Sequence, residues 1–190
     1  MPAMKIRPAK VKDAQSICGL INYYAERGRM LHRSLESVYG SLRKFQVAQA
    51  DDGAVVGCVA VDIFWADLAE VKSLAVAPNH HGKGLGKMLV KAAVRDARRL
   101  GVHTLFALTY EEKFFLRCGF VTIDRDRLPE KVWRECINCP KADACDEIAM
   151  MMPVNEKVLR KKPKAAGRKK KKASKPLKRQ RKRQRKAAKS

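Results

Sequence analysis

The sequence predicts an α+β domain, a mixed central sheet with flanking helices, followed by a disordered basic tail. Two observations predict the domain. Helical spacing comes first and strand-like runs follow, and a strand–loop–helix–strand unit surrounds His81-Gly82-Lys83-Gly84-Leu85-Gly86. A third observation sets the boundary. From about Glu156 the apolar periodicity vanishes, and Lys, Arg, Ala and Gln dominate. Such a segment buries too little surface to offset its ordering entropy. The expected organisation is a domain over 1–155 and a disordered Lys/Arg-rich tail over 156–190.

The elements follow in order. Residues 4–8 read as a short strand. Asp13 is the expected N-cap of a helix carrying Ile17, Leu20, Ile21 and Tyr24, which Gly28 ends. Ser34 caps a second helix with Leu35, Val38, Leu42 and Phe45 on its inner side. Residues 45–50 are extended, and Asp51-Asp52-Gly53 is a hairpin turn. The valine-rich run 54–64 is a buried strand, and 69–76 is a strand stopped by Pro78. After the glycines, Leu85, Met88, Leu89, Ala92 and Ala93 define an amphipathic helix closed by Gly101. A strand over 102–109, a short helix over 114–118, an extended 120–124 and a last strand over 146–154 complete the domain.

Of the net charge of +23, 19 units fall in 157–190, leaving +4 for the rest. The basicity belongs to the tail. The hydrophobic fraction of 46% is sufficient for a core. The N-terminus lacks a long apolar run, so neither a signal peptide nor a membrane span is expected. The expected compartment is the reducing cytoplasm, with the six cysteines as thiols or metal ligands rather than disulfides.

A strand running into glycines and then a helix makes an anion site, because the first N–H groups of the helix are unpaired. Gly82, Gly84 and Gly86 allow close backbone approach, and Lys83 and Lys87 add positive charge. The spacing is not that of a Walker loop, and the unit lies too far along the chain for a dinucleotide fold. A pyrophosphate fits; a glycine turn that only satisfies the helix end is the simpler alternative.

The loop resembles the coenzyme A pyrophosphate loop of the GNAT acetyltransferase superfamily, Gln/Arg-x-x-Gly-x-Gly/Ala. Gly84 and Gly86 match its small positions, and His81 stands where Gln or Arg is usual. The flanks Lys72-Ser73-Leu74-Ala75-Val76-Ala77-Pro78 and Phe114-Phe115-Leu116-Arg117-Cys118-Gly119-Phe120 agree. The resemblance implies two splayed parallel strands, 69–76 and 102–109, with acetyl-CoA between them. The backbone of Leu74 and Val76, the segment from His81 through Leu85 and Gly86 to Lys87, and Phe115 would hold it. Many relatives carry a Tyr as acid for the thiolate at the position of Phe115, so this chain would lack that acid or use another group.

Transfer to an amine needs a base, because an ammonium has no lone pair. Glu70, at the start of the strand facing the thioester, is the candidate; its simpler alternative is a solvated strand-end charge. Three stretches narrow the resemblance: Leu31-His32-Arg33-Ser34-Leu35-Glu36, Ala69-Glu70-Val71-Lys72-Ser73-Leu74-Ala75-Val76 and Leu128-Pro129-Glu130-Lys131-Val132-Trp133. Together they look like short bacterial N-acetylglutamate synthases, which implies L-glutamate as acceptor and entry to arginine biosynthesis. Arg33 then matches the arginine that holds a substrate carboxylate, with Lys72 and Ser73 contributing. Glu111 and Glu112 replace an Arg and a Ser of longer members, so Lys113 or Arg117 is expected to supply the second carboxylate contact.

Two further features stand apart. Cys136, Cys139 and Cys145 are spaced for zinc, but a structural site needs a fourth ligand, and the reading preferred is thiols without metal. The tail suits salt-dependent contact with nucleic acid or an acidic partner, or is only a solvated extension. Other amine acceptors, such as a polyamine, an antibiotic or a protein N-terminus, are alternatives. A coenzyme A-sensing module that binds nucleic acid through the tail is an alternative of another class. A homodimer is compatible with the sequence.

Overall fold

Valine and alanine alternate between two helical layers along the central strands of a seven-stranded sheet. The computed structural model describes residues 4–129 and 145–154. The strands are β1 (Lys5–Pro8), β2 (Phe45–Gln49), β3 (Val55–Trp65), β4 (Leu68–Val76), β5 (Thr104–Thr109), β6 (Val121–Thr122) and β7 (Ile148–Pro153). Their order is β1-β2-β3-β4-β5-β7-β6. Only β4 and β5 pair in parallel; the other neighbours are antiparallel. The helices are α1 (Ala14–Ala25), α2 (Leu35–Gly40), α3 (Leu85–Arg99) and α4 (Glu112–Arg117).

The two-residue period of a strand sends neighbours to opposite faces. Val47, Cys58 and Ala60 pack with Ile17 and Ile21 of α1 and Val38 of α2. Ala48, Val59 and Val61 pack with Leu85, Leu89 and Ala93 of α3 and with Phe115 and Phe120 beyond it. The expected α+β fold with helices flanking a mixed sheet is thus observed. No helix among the described residues is long and apolar enough to cross a membrane.

Several details differ from expectation. Asp13 is helical in its own backbone and makes no side-chain cap. Its carboxylate instead accepts from Lys10 N at 2.7 Å and pairs with Arg7 at 2.6 Å. Ser34 does cap α2, accepting from Ser37 N at 3.1 Å. That helix stops at Gly40, so Leu42 lies in a separate 3-10 turn and Phe45 opens β2. Strand β3 is buried only through Val61; Ile63 and Trp65 at its end are 53% and 58% exposed. The tail over 156–190, together with Cys136 and Cys139, lies outside the described residues.

Candidate active site

Parallel pairing of β4 with β5 runs from Leu68–Thr104 to Glu70–Phe106 and ends there. Beyond that point the strands diverge around a cleft of about 1510 Å³. Its walls are β4 from Glu70 to Val76, the end of β5, the close of α1, the segment from His81 to Lys87, and α4. The splay expected from the family resemblance is therefore present, and every residue expected at the site except Lys83 and Lys113 lines it, among those described.

At the glycine end, Gly82 and Gly84 have φ of 72° and 75°. These are left-handed values that residues with a Cβ adopt only at a cost. No atom lies within 4 Å of where a Cβ would stand at either, so the backbone faces open space. Gly86 is different: an added Cβ would lie 3.1 Å and 3.2 Å from the Phe114 ring. Gly84, Leu85, Gly86 and Lys87 at the start of α3 line this end of the cleft, and the first N–H groups of a helix have no intrahelical partner. The Lys83 ammonium turns to Asn79 O at 2.9 Å, so only Lys87 brings its side chain to the cleft.

His81 is anchored rather than projecting. Its Nε2 lies 2.9 Å from Val76 O and 2.6 Å from the Tyr24 hydroxyl. The two rings stack at 6.2 Å with 11° between planes. The Tyr24 hydroxyl also donates to Val76 O. Burial pushes the Tyr24 phenol above its ordinary pKa, which keeps it a neutral donor. Helix α1 thereby ties the loop to the end of β4. Phe115 is buried against Phe114 and Phe120 in edge-to-face contacts and presents only a margin to the cleft.

At the splay point Glu70 is 8% exposed, which removes the reading of a solvated strand-end charge. Lys72 Nζ lies 3.1 Å from Glu70 Oε2 and 3.7 Å from Asp62 Oδ2. Lys44 Nζ reaches Asp62 Oδ1 at 2.6 Å. Lys72, expected to contact substrate, is thus already engaged with carboxylates.

Arg33 precedes α2, lines the cleft, and its guanidinium is held by neutral groups among the described residues. Its guanidinium donates to Ser37 Oγ at 2.9 Å, Ser41 Oγ at 3.1 Å and Ser73 Oγ at 3.4 Å. It also lies 5.7 Å from the Phe45 ring centre. Asn22 of α1 fixes its backbone, accepting from Arg33 N and donating to Arg33 O, both at 2.9 Å. No carboxylate among the described residues pairs with it. Ser73 sits at φ 54°, where the β3–β4 register slips between Cys58 and Ala60. This bulge brings the Ser73 hydroxyl within reach of Arg33. The Cys58 thiol donates to Ser73 O at 3.4 Å, and burial pushes its pKa up to about 12.

Across the cleft, Glu111 forms an ion pair with Arg29, linking the loop after α1 to the end of β5. Glu112 accepts from Thr122 Oγ1 at 2.7 Å. Arg117 lines the cleft and Lys113 does not. Arg125 also lines it and donates to Cys145 O at 3.1 Å. Among the described residues no cluster of His, Cys, Asp and Glu could hold a metal ion. Sequence reasoning missed the clamp of Ser37 and Ser41 on Arg33, and it missed Asp62. It placed Tyr24 on the packed face of α1, where only the apolar ring belongs.

The splayed strands, the left-handed glycines and the helix start define an acyl-CoA-type transferase architecture, and similarity agrees. The acetyltransferase (GNAT) family matches residues 17–120, and the chain belongs to it. An uncharacterized N-acetyltransferase of Chlorobaculum tepidum is 42% identical over 80% of this chain and 98% of its own length. An amino-acid acetyltransferase of Mycobacterium tuberculosis is 35% identical over 68% of this chain and 75% of its own. Among solved structures, N-acetylglutamate synthase from Neisseria gonorrhoeae, complexed with coenzyme A and N-acetyl-glutamate, is similar with a TM-score of 0.74 and 29% identity. That match covers 82% of this chain and 36% of the other.

Proposed function

We propose that the protein transfers the acetyl group of acetyl-CoA to the α-amino group of L-glutamate. The observation that carries the acceptor is Arg33: a planar cation at the cleft wall, oriented by three serine hydroxyls and without a carboxylate partner among the described residues. Burying part of a guanidinium among hydroxyls is costly unless an anion completes it. A substrate carboxylate supplies that anion in bidentate geometry. The matched amino-acid acetyltransferases and the N-acetylglutamate synthase structure support the same reading.

The residues present fit acetyl-CoA. Gly82 and Gly84 offer backbone with no Cβ in the way, and the N–H groups of α3 face the same space. The cleft continues from there to Glu70. Bound acetyl-CoA supplies an activated thioester carbonyl. The start of α3 and Lys87 would hold its phosphates, and the backbone near Leu74 would hold the chain that links them to the thioester. Arg33 holds the substrate carboxylate and so aims the amine. Glu70 would take one proton of the ammonium, directly or through a water, which frees the lone pair; the amine then attacks the thioester carbonyl, and as the N–C bond forms and the C–S bond breaks its second proton passes to the departing thiolate. The product would enter arginine biosynthesis, in the cytoplasm.

Thiol release from acetyl-CoA with L-glutamate, L-alanine, L-lysine and spermidine tests this. L-Glutamate should show the highest kcat/KM; turnover no better than with alanine or lysine would overturn the acceptor. Spermidine is the acceptor the cleft disfavours, because Arg27, Arg29 and Arg33 line it. Glu70→Gln should lower kcat at least ~100-fold, in the range general bases contribute. An unchanged rate removes Glu70 as the base.

A further inference from the structure

Glu70 and Asp62 face each other directly across the antiparallel β3–β4 pair. Two carboxylates so placed repel, and like charges opposite one another destabilise a sheet. The pair persists because Lys72, two residues along from Glu70 and on the same face, stands between them. Its ammonium is 3.1 Å from Glu70 Oε2 and 3.7 Å from Asp62 Oδ2. Lys44 then closes the far side of Asp62 at 2.6 Å. The four charges alternate in sign from the splay point outward. The side chains of Glu70, Lys72 and Asp62 are 10%, 24% and 18% exposed, and Lys44 at the outer end is 46% exposed.

We propose that Asp62 is a positioning residue for acetyl transfer: it holds the Lys72 ammonium beside Glu70 and thereby sets the pH at which Glu70 can accept the proton of the substrate amine. The proposal rests on Glu70 acting as the base. Lys72 stabilises the Glu70 carboxylate, while Asp62 opposes it at longer range and shares the ammonium. Asp62 thus offsets part of the pull that the Lys72 ammonium exerts on Glu70. A base held too weak by an unopposed cation would draw the proton poorly.

Other charged or titratable groups line the same cleft from neighbouring elements: Arg29 and Arg33 before α2, Tyr110 and Glu111 after β5, Arg117 of α4, Arg125 after β6, and Cys145 and Glu147 before β7. On β5, Phe106 and Leu108 bring no titratable group to this point. The two decisive variants leave all of these unchanged.

The test is the acid limb of kcat/KM against pH in the full chain. Asp62→Asn keeps the shape and removes the like charge, so the limb should move to lower pH by about half a unit to one unit. Lys72→Met leaves two carboxylates facing each other, so the limb should move up by about one unit or more. Shifts of opposite sign are not produced by loosened packing. The titration of the Glu70 carboxyl, followed by 13C NMR in the same variants, gives the same readout without turnover. If Glu70→Gln keeps the acid limb, the base assignment falls and the proposal with it. If Glu70→Gln abolishes the limb but neither variant moves it, or both move it the same way, Asp62 has no such role and the base assignment stands.

Discussion

The carboxylate of Asp13 accepts hydrogen bonds from Arg7 and from Lys10 N at 3% exposure. The Arg7 bond is the main cause holding its pKa below the ordinary carboxylate value. A depressed native pKa contributes stability that is present above the unfolded value near ~3.9 and lost as pH falls through the native one. Asp13→Ala should therefore cost about 1.5–3 kcal/mol at neutral pH, because it removes the carboxylate partner of a half-buried guanidinium and leaves it only Gln49 Oε1 and Pro8 O. Urea unfolding at pH 7 checks this, and the difference from wild type should shrink below pH 4. Cys58 is the opposite case: its buried thiol, at about 12, stays neutral and unreactive. Alkylation at pH 8 followed by mass mapping should label Cys18 and Cys118, both partly exposed, well before Cys58. Neither role was legible in the sequence, where Asp13 read as a cap and Cys58 as one thiol of six. Both depend on which strand or turn lies alongside.

At the scale of elements, the glycine segment was the most legible part of the molecule. Left-handed backbone and close approach are properties glycine supplies locally, so the pattern of Gly82, Gly84 and Gly86 could be read without tertiary knowledge. The reason for Gly86 could not: it is the Phe114 ring of α4, some thirty residues on. Gly86→Ala should push α4 or α3 outward at a cost of about 1–3 kcal/mol. Taken up at the loop, that raises the KM for acetyl-CoA about tenfold or more, while kcat at saturation changes little. An unchanged KM would show that Phe114 yields without moving the loop. The bulge at Ser73 is equally non-local. Its residue type gives no sign of a left-handed backbone, and only the register against Cys58 and Ala60 reveals it.

For the molecule as a whole, the splay between β4 and β5 was expected from the family resemblance, whereas periodicity and element order were enough to define the sheet and its helical layers. Those depend on alternation and on the sequence of elements, which local patterns record. The acceptor site is assembled from pieces far apart in the chain: Arg33 before α2, Ser73 on β4 and Glu70 at the splay point. Arg33 and Glu70 were accessible through resemblance; the serine clamp that would fit Arg33 to receive a carboxylate, as proposed, required the fold. The central claim is that this clamped arginine selects the acceptor. The most direct measurement is the ratio of kcat/KM for L-glutamate over L-alanine, in the wild type and in Arg33→Ala. Loss of a bidentate charge-assisted contact worth about 1.5–3 kcal/mol should lower the ratio about 10- to 100-fold, through the KM for glutamate. The KM for acetyl-CoA should be unchanged. A ratio that stays the same in Arg33→Ala would contradict the account.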